Sequence, residues 1–292
     1  MLSELQILDS ELLGAFVAFS ETLNFTHAAR QLHLSQPALF ERIRRLGQVL
    51  ETPLYERSGR ALRLTEQGQR VAAFARESLR RTDGFLRELR GQTPLKTVTL
   101  AAGEGAFLYT LGAALARYAR GGGALNLLTL GAANAAEAVR TGQADLAFTI
   151  LDVPPPGLMG EEILRVPMCA AIPARHPLAK RAKIRLEDLE GARLILPPTG
   201  RLYRDLVARF AAKGGADLKP PLEADGWPLM LAFVRAGLGV AIVNGSCAPP
   251  AGVKLFPIKE LGTVAYRLLW RKGSELSEGA RELRDAIRLG AS

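Results

Sequence analysis

Apolar residues along this chain follow two rhythms. Up to about residue 90 they recur every three or four positions, the spacing of one helix face, and beyond residue 96 short strand-length runs alternate with helical stretches. Leu12, Phe16, Phe19 and Leu23 predict a first helix, capped by Asp9 or Ser10. A second is expected over 26–32 with Thr26 as its cap, and Ala28 and Ala29 are small enough to let another helix approach closely. After a His33-Leu34 turn, Ser35, Gln36 and Pro37 start a third helix. Ser supplies an acceptor to the first N–H groups, and Pro gives up an N–H that has no helical partner there. Leu39, Ile43, Leu46 and Leu50 form the buried stripe of this helix, with Pro37, Glu41, Arg44, Arg45 and Gln48 opposite.

A short helix, a tight turn and a longer helix with a basic and amide outer face describe a helix-turn-helix, whose second helix lies in the DNA major groove. By itself the pattern also fits two amphipathic helices with a solvated charged face. Two short runs, 53–57 and 61–64, flank Ser58-Gly59-Arg60 and predict a hairpin. Behind a recognition helix such a hairpin is a wing, with Arg57 and Arg60 reaching the DNA backbone or minor groove; the other reading is a solvated turn. Thr65 caps a long helix to about residue 90. Its Gly68, Ala72, Ala75, Leu79, Thr82, Leu86 and Leu89 alternate spacings of four and three, a heptad seam expected to pair two copies rather than to pack on its own domain.

Gly91-Gln92-Thr93-Pro94 marks a boundary. Strands are expected at 98–102, 125–130 and 145–150, with helices at 106–119 and 134–141 between them, an order that implies a parallel sheet. A long strand over 163–173 leads to a second set: strand 193–196, helix 203–213, strand 222–224, helix 228–236 and strand 239–243. Strands near 253–256 and 264–270 and a helix over 277–289 close the chain. Two similar α/β halves joined by extended crossings look like a hinged small-molecule binding domain.

The chain has 292 residues, enough for two or three domains, and carries a net charge of +9, which suits a polyanion partner. Residues 30–63 hold seven arginines against three glutamates, and every basic residue before Lys96 is Arg, the fork-shaped side chain that reads guanine and phosphate. Only Cys169 and Cys247 occur, so free buried thiols in a reducing compartment are expected in place of a disulfide or metal site. The first residues, MLSELQILDSELL, lack the basic start of a signal peptide, and no uncharged apolar run reaches membrane-spanning length. A cytoplasmic protein with no membrane association is expected.

The order helix-turn-helix, wing, long helix and two α/β lobes resembles the LysR-type transcriptional regulators over essentially the whole chain. The matching residues are Ala28-Ala29-x-x-Leu32, Ser35-Gln36-Pro37-Ala38-Leu39, Ile43, Leu46, Pro53-Leu54-Tyr55-x-Arg57 and Leu64-Thr65-x-x-Gly68. Further along they are Gly142-x-x-Asp145-Leu146-Ala147, His176-Pro177-Leu178-Ala179, Asp188-Leu189 and Ala236-Gly237-Leu238-Gly239-Val240-Ala241. The resemblance implies a mostly α winged helix-turn-helix domain over 1–65, a linker and dimerisation helix over 66–92, and a periplasmic-binding-protein-like effector domain over 93–292. Lobe I of that domain is expected at 96–162 and 264–292, and lobe II at 163–263. The implied function is sequence-specific transcriptional regulation controlled by a small-molecule effector. The implied partners are double-stranded DNA, the effector and further copies in a homodimer or homotetramer, with RNA polymerase a further candidate. No cofactor and no enzymatic activity are expected.

In the DNA-binding part three residues depart from the family pattern: Phe40 stands where a small polar residue is usual, Glu41 where a basic or polar one is, and Gly47 where Glu is. In the effector part Leu111-Gly112 and Arg120-Gly121-Gly122-Gly123 stand where the family usually has Pro. Phe40 either presses a thymine methyl or widens the core. Glu41 costs affinity beside phosphates unless it accepts from a cytosine amino group. The DNA-binding set is Thr26, Ser35, Gln36, Pro37, Phe40, Glu41, Arg42, Arg44, Arg45, Arg57 and Arg60. Pairing of two copies is assigned to Ala72, Ala75, Leu79, Thr82, Leu86 and Leu89. Ligands of open α/β sheets sit beyond the C-terminal strand ends, which places the effector near Gly103, Glu104, Gly105, Gly131, Ala132, Thr149, Ile150, Pro198, Thr199 and Asn244. Family pockets commonly carry Ser or Thr near Glu104, and a carboxylate there disfavours a carboxylate ligand, which favours a neutral or amine-bearing effector. The rival readings, an enzyme or a solute-binding-like protein built on the α/β lobes, lack a GxSxG, P-loop or metal-ligand cluster and an export signal, respectively.

Overall fold

The computed structural model describes residues 9–59, 61–90, 97–200, 204–205, 207–209, 212 and 222–290. Three helices open it: α1 (Ser10–Thr22), α2 (Phe25–Gln31) and α3 (Gln36–Val49). The Asp9 carboxylate caps α1 by accepting from the Leu12 N–H at 2.7 Å. Asn24, and not Thr26, caps α2. Asn24 has the extended backbone of a cap and accepts from the His27 N–H at 3.1 Å, whereas Thr26 already lies inside the first turn. Ser35 caps α3 as expected, its Oγ accepting from the Ala38 N–H at 3.3 Å.

Phe16, Phe19, Leu39, Ile43 and Leu46 are fully buried where the three helices meet. Phe19 stacks on Phe25 at 4.4 Å between ring centroids, and Tyr55 closes edge-on at 5.2 Å. The wing is an antiparallel pair, β1 (Tyr55–Ser58) and β2 (Ala61–Leu64), with Arg57 opposite Leu62. The linker helix α4 (Glu66–Leu89) then starts at Thr65, whose hydroxyl accepts from the Gly68 N–H at 2.9 Å and donates to the Pro53 carbonyl at 2.7 Å. The helix crosses so close to the wing here that a Cβ on Gly68 would lie 1.8 Å from the Leu54 carbonyl oxygen, so glycine is required.

The remaining strands join in one path, β4-β3-β5-β11-β6-β9-β7-β8, with β10 pairing to β6. Lobe I contains β3 (Thr97–Ala102), β4 (Ala124–Thr129) and β5 (Leu146–Ile150), parallel to one another as expected. The helix after β3 runs in three pieces: α5 (Glu104–Ala106), a π-helical turn over Phe107–Leu111, and α6 (Gly112–Arg120). Helix α7 (Ala132–Arg140) covers the same sheet, and α9 (Glu278–Gly290) returns to pack on α6. Lobe II holds β7 (Leu194–Leu196), β8 (Leu222–Glu223), helix α8 (Trp227–Arg235), β9 (Val240–Asn244) and β10 (Val253–Pro257). The helix expected at 203–213 lies mostly outside the described residues, as do Arg60 and 91–96.

Two long strands cross between the lobes: β6 (Leu158–Pro173) and β11 (Thr263–Arg271). β6 begins five residues before its predicted start. Its polar opening, with Gly160, Glu161 and Glu162, hid it from a hydrophobicity reading. There Glu162 pairs with Arg165 at 2.6 Å and Arg267 at 3.1 Å, and Glu161 pairs with Arg288. β6 stays on β11 through Pro167 and meets β9 from Met168. The crossing therefore falls past the lobe limit expected at 162–163.

Candidate nucleic-acid interface and interlobe cleft

The outer face of α3 collects most of the predicted DNA-contacting residues. Ser35, Gln36, Pro37, Phe40, Glu41, Arg44 and Arg45 are all exposed, and the buried stripe faces the other way. Arg42 is half-buried and pairs at 3.0 Å with Glu11 of α1, so it braces the helix against its neighbour. Arg57 on the wing and Thr26 on α2 are exposed.

Two of the departures from the family pattern, Phe40 and Glu41, have a structural partner. Phe40 is 41% exposed, and its inner face meets Phe25 with ring centroids 5.4 Å apart. It thus extends the aromatic core and leaves an edge to the outside. The Glu41 carboxylate accepts from Arg44 Nε at 2.8 Å and Nη2 at 2.5 Å. That hydrogen bond holds the Glu41 carboxyl below the usual carboxylate range and raises the Arg44 pKa. Arg44 is therefore partly neutralised by its own neighbour.

The expected pairing seam on α4 needs correction. Ala72 and Ala75 are fully buried within their own chain, Ala72 in the core that holds Phe16, so no partner can reach them. A heptad pattern cannot separate a seam for a second copy from a stripe that packs on α1. Leu79 is half-buried, while Thr82, Leu86 and Leu89 remain exposed. The apolar side chains that α4 presents to the outside are Phe74, Phe85, Leu86 and Leu89.

Between the lobes lies a cleft of about 630 Å³. The predicted Gly103, Glu104, Gly105, Gly131, Ala132, Thr149 and Ile150 line it. Pro198, Thr199 and Asn244 do not, although neighbouring Gly200 does. Asn244 is completely buried and acts from behind, its Nδ2 donating to Tyr266 Oη at 2.7 Å while its Oδ1 accepts from Ser246 Oγ at 2.8 Å. Tyr266 in turn stacks on Phe148 at 4.9 Å, and burial pushes its hydroxyl pKa up to about 12. The strand-end rule missed Phe148, Met168, Val264 and Tyr266, which are interior strand positions. It also missed Asp205, Asp225 and Trp227, the last of which opens α8. The lobes touch at Gly105, where a Cβ would come within 2.7 Å of Trp227 Cε3; the ring of one lobe lies on the bare backbone of the other.

Comparison with known proteins covers both parts of the chain. A family model described as "Bacterial regulatory helix-turn-helix protein, lysR family" matches residues 10–69, and one described as "LysR substrate binding domain" matches 91–291. The uncharacterized HTH-type transcriptional regulator YbhD of Escherichia coli K12 is 28% identical over 82% of this chain and 77% of its own length. The RuBisCO operon transcriptional regulator of Allochromatium vinosum is 25% identical over 94% of each chain. The regulator CatR of Pseudomonas putida is 28% identical over 91% of this chain and 93% of its own. In fold, a full-length OxyR variant from Pseudomonas aeruginosa superposes with a TM-score of 0.73 at 22% identity, over 97% of this chain and 95% of that one. Full-length CbnR in complex with its target DNA gives 0.60 at 21% identity, over 97% of this chain and 100% of that one.

Proposed function

Because the chain belongs to the LysR family, whose members are DNA-binding transcriptional regulators with an effector-binding domain and not enzymes, we propose that it reads its operator with the N-terminal half of α3. Ser35, Gln36 and Pro37 stand at base edges, with Phe40 beside them. Arg44, Arg45, Arg57 and Arg60 contact phosphate or the minor groove. The observation that carries this reading is the clean division of α3: three fully buried apolar residues on one side, and exposed amide, aromatic and basic residues on the other. Thr26 lies at the edge of this face.

The DNA-binding unit takes residues 1–65, the linker 66–92 and the effector domain 93–292. Two copies pair through the outward apolar face of α4, placing two recognition helices about 34 Å apart on successive major grooves. The effector occupies the interlobe cleft and acts by favouring one arrangement of lobes or subunits over another. Selection of random duplexes on the purified full chain, followed by footprinting of the recovered sequence, tests the reading. An interrupted dyad protected on two successive major grooves is expected; recovery of no preferred sequence would count against it.

A further inference from the structure

The lining of the cleft is one-sided in charge. Three carboxylates line it: Glu104 from lobe I and Asp205 and Asp225 from lobe II. No lysine or arginine lines it among the described residues, and Arg204, next to Asp205, is not part of the wall. Glu104 opens α5, and Asp225 stands one residue before the Gly226 cap of α8. The Glu104 carboxylate forms no ion pair or hydrogen bond with any described residue.

Thr149 supplies a second, independent sign of a polar ligand. It is only 6% exposed and lines the cleft, and its hydroxyl makes no hydrogen bond within the described chain. A largely buried residue whose hydroxyl has no protein partner and borders the cleft is available to hydrogen-bond a polar ligand group there. The rest of the wall is apolar and aromatic: Phe148, Ile150, Met168, Trp227 and Tyr266.

Resting on the reading of this cleft as the effector site, we infer that the effector carries a primary ammonium or guanidinium group on an apolar body. An ammonium has three donors and no acceptor, which matches carboxylate and hydroxyl oxygens. Trp227 offers a face for the cation or for the carbon skeleton beside it. A carboxylate ligand would meet the like charges of Glu104 and Asp205 and no lysine or arginine in the wall among the described residues. The cavity volume suits a molecule of small-metabolite size.

The test uses the purified full chain, titrated calorimetrically with phenethylamine, agmatine and putrescine and with phenylacetate, benzoate and succinate. Melting curves are recorded alongside. At least one amine is expected to bind and to raise the melting temperature while the acids do neither. Glu104→Gln, and separately Asp205→Asn, should weaken amine binding about tenfold or more, as expected for losing a charged hydrogen-bond partner. Binding of an acid with no amine competing, amine binding indifferent to both variants, or no amine effect at millimolar concentration would each overturn the inference. Salt-sensitive binding of the same preparation to duplex DNA separates the two readings. DNA binding intact with inert amines removes only the cation assignment. Absent DNA binding removes the regulator reading and leaves the cleft result to stand by itself.

Discussion

Arg76 and Thr141 join the DNA-binding unit to the effector domain. Arg76 Nη1 donates to the Thr141 carbonyl at 2.5 Å, and Nη2 donates to Ser20 Oγ at 2.7 Å. Ser20 lies on α1, which packs against the recognition helix, and Thr141 closes α7, whose opposite end at Gly131 and Ala132 lines the cleft. The C-terminus of a helix is its negative pole, so a guanidinium is well placed there. Burial draws the Arg76 pKa below its ordinary value, with Glu21 at 3.8 Å opposing. Along the same seam Arg140 donates to Gln69 at 2.5 Å, Arg80 pairs with Asp145, and Arg271 approaches Glu77 at 3.5 Å.

Replacing Arg76 by Met keeps length and apolar bulk but removes both donations. The Ser20 hydroxyl still donates to the Val17 carbonyl at 2.7 Å, so the main loss falls at the Thr141 carbonyl. A destabilisation of about 1–3 kcal/mol is expected. In scanning calorimetry the unmodified chain is expected to unfold in one transition and the variant in two, one for the DNA-binding unit and one for the lobes. One unchanged transition at the original temperature would show that this contact does not couple them.

Glu41 restrains Arg44. Substituting Gln removes a negative charge from the DNA-facing side of α3 and releases the guanidinium toward phosphate. Affinity for cognate and random duplexes should both rise, and the slope of log affinity against log salt should steepen by roughly one. Binding measured across a salt series checks this; an unaltered slope would mean that Arg44 stays away from phosphate.

Much of this architecture was legible in the sequence, because Ser35 and Thr65 are caps whose chemistry is local, and because the Leu39, Ile43, Leu46 stripe has an unambiguous period. What sequence could not settle is which neighbour a stripe faces. Ala72 and Ala75 fit a seam between copies, yet both are buried within their own chain, Ala72 in the core beside Phe16 of α1. Strand ends located the cleft at Gly103, Gly131 and Thr149. They could not locate Trp227 or Tyr266, which come to it only through the crossing of β6 and β11 and the closure of lobe II over lobe I. Asn244 was placed at the site and instead orients Tyr266 from behind.

The outward face of α4 carries Phe74 at 52% exposure, Phe85 at 58% and Leu89 at 67%, a large apolar display for a protein surface. A charge there should break pairing of copies while leaving the chain folded, since these side chains contribute little to the core. Phe85→Glu is expected to shift sedimentation toward a single chain and to weaken operator binding by lost avidity. A variant that sediments as the unmodified protein does would place the pairing surface elsewhere.

Both thiols are buried, which raises the Cys169 pKa to about 11 and that of Cys247 to about 12. At neutral pH they are protonated and poor nucleophiles, so a thiol reagent should react with the native protein only as it unfolds. Because the folded pKa values lie above the ordinary 9.0, their contribution to stability is complete below pH 9 and is lost as pH rises toward 11 and 12. Tyr266, at about 12 against 10.0, acts in the same direction. Each group costs up to about 1.4 kcal/mol per pH unit within its window. Melting temperature should therefore fall more steeply above pH 9, and less steeply in Cys247→Ala. Equal slopes in the two proteins would contradict this.

The most direct measurement compares Gln36→Ala with the unmodified chain on the selected operator and on random duplex of equal length, at one fixed salt concentration. A helix that reads base edges through Gln36 loses affinity on the operator by about tenfold or more, with binding to random DNA unchanged. Equal losses on the two duplexes, or none on either, would show that the Ser35-capped helix does not read the sequence.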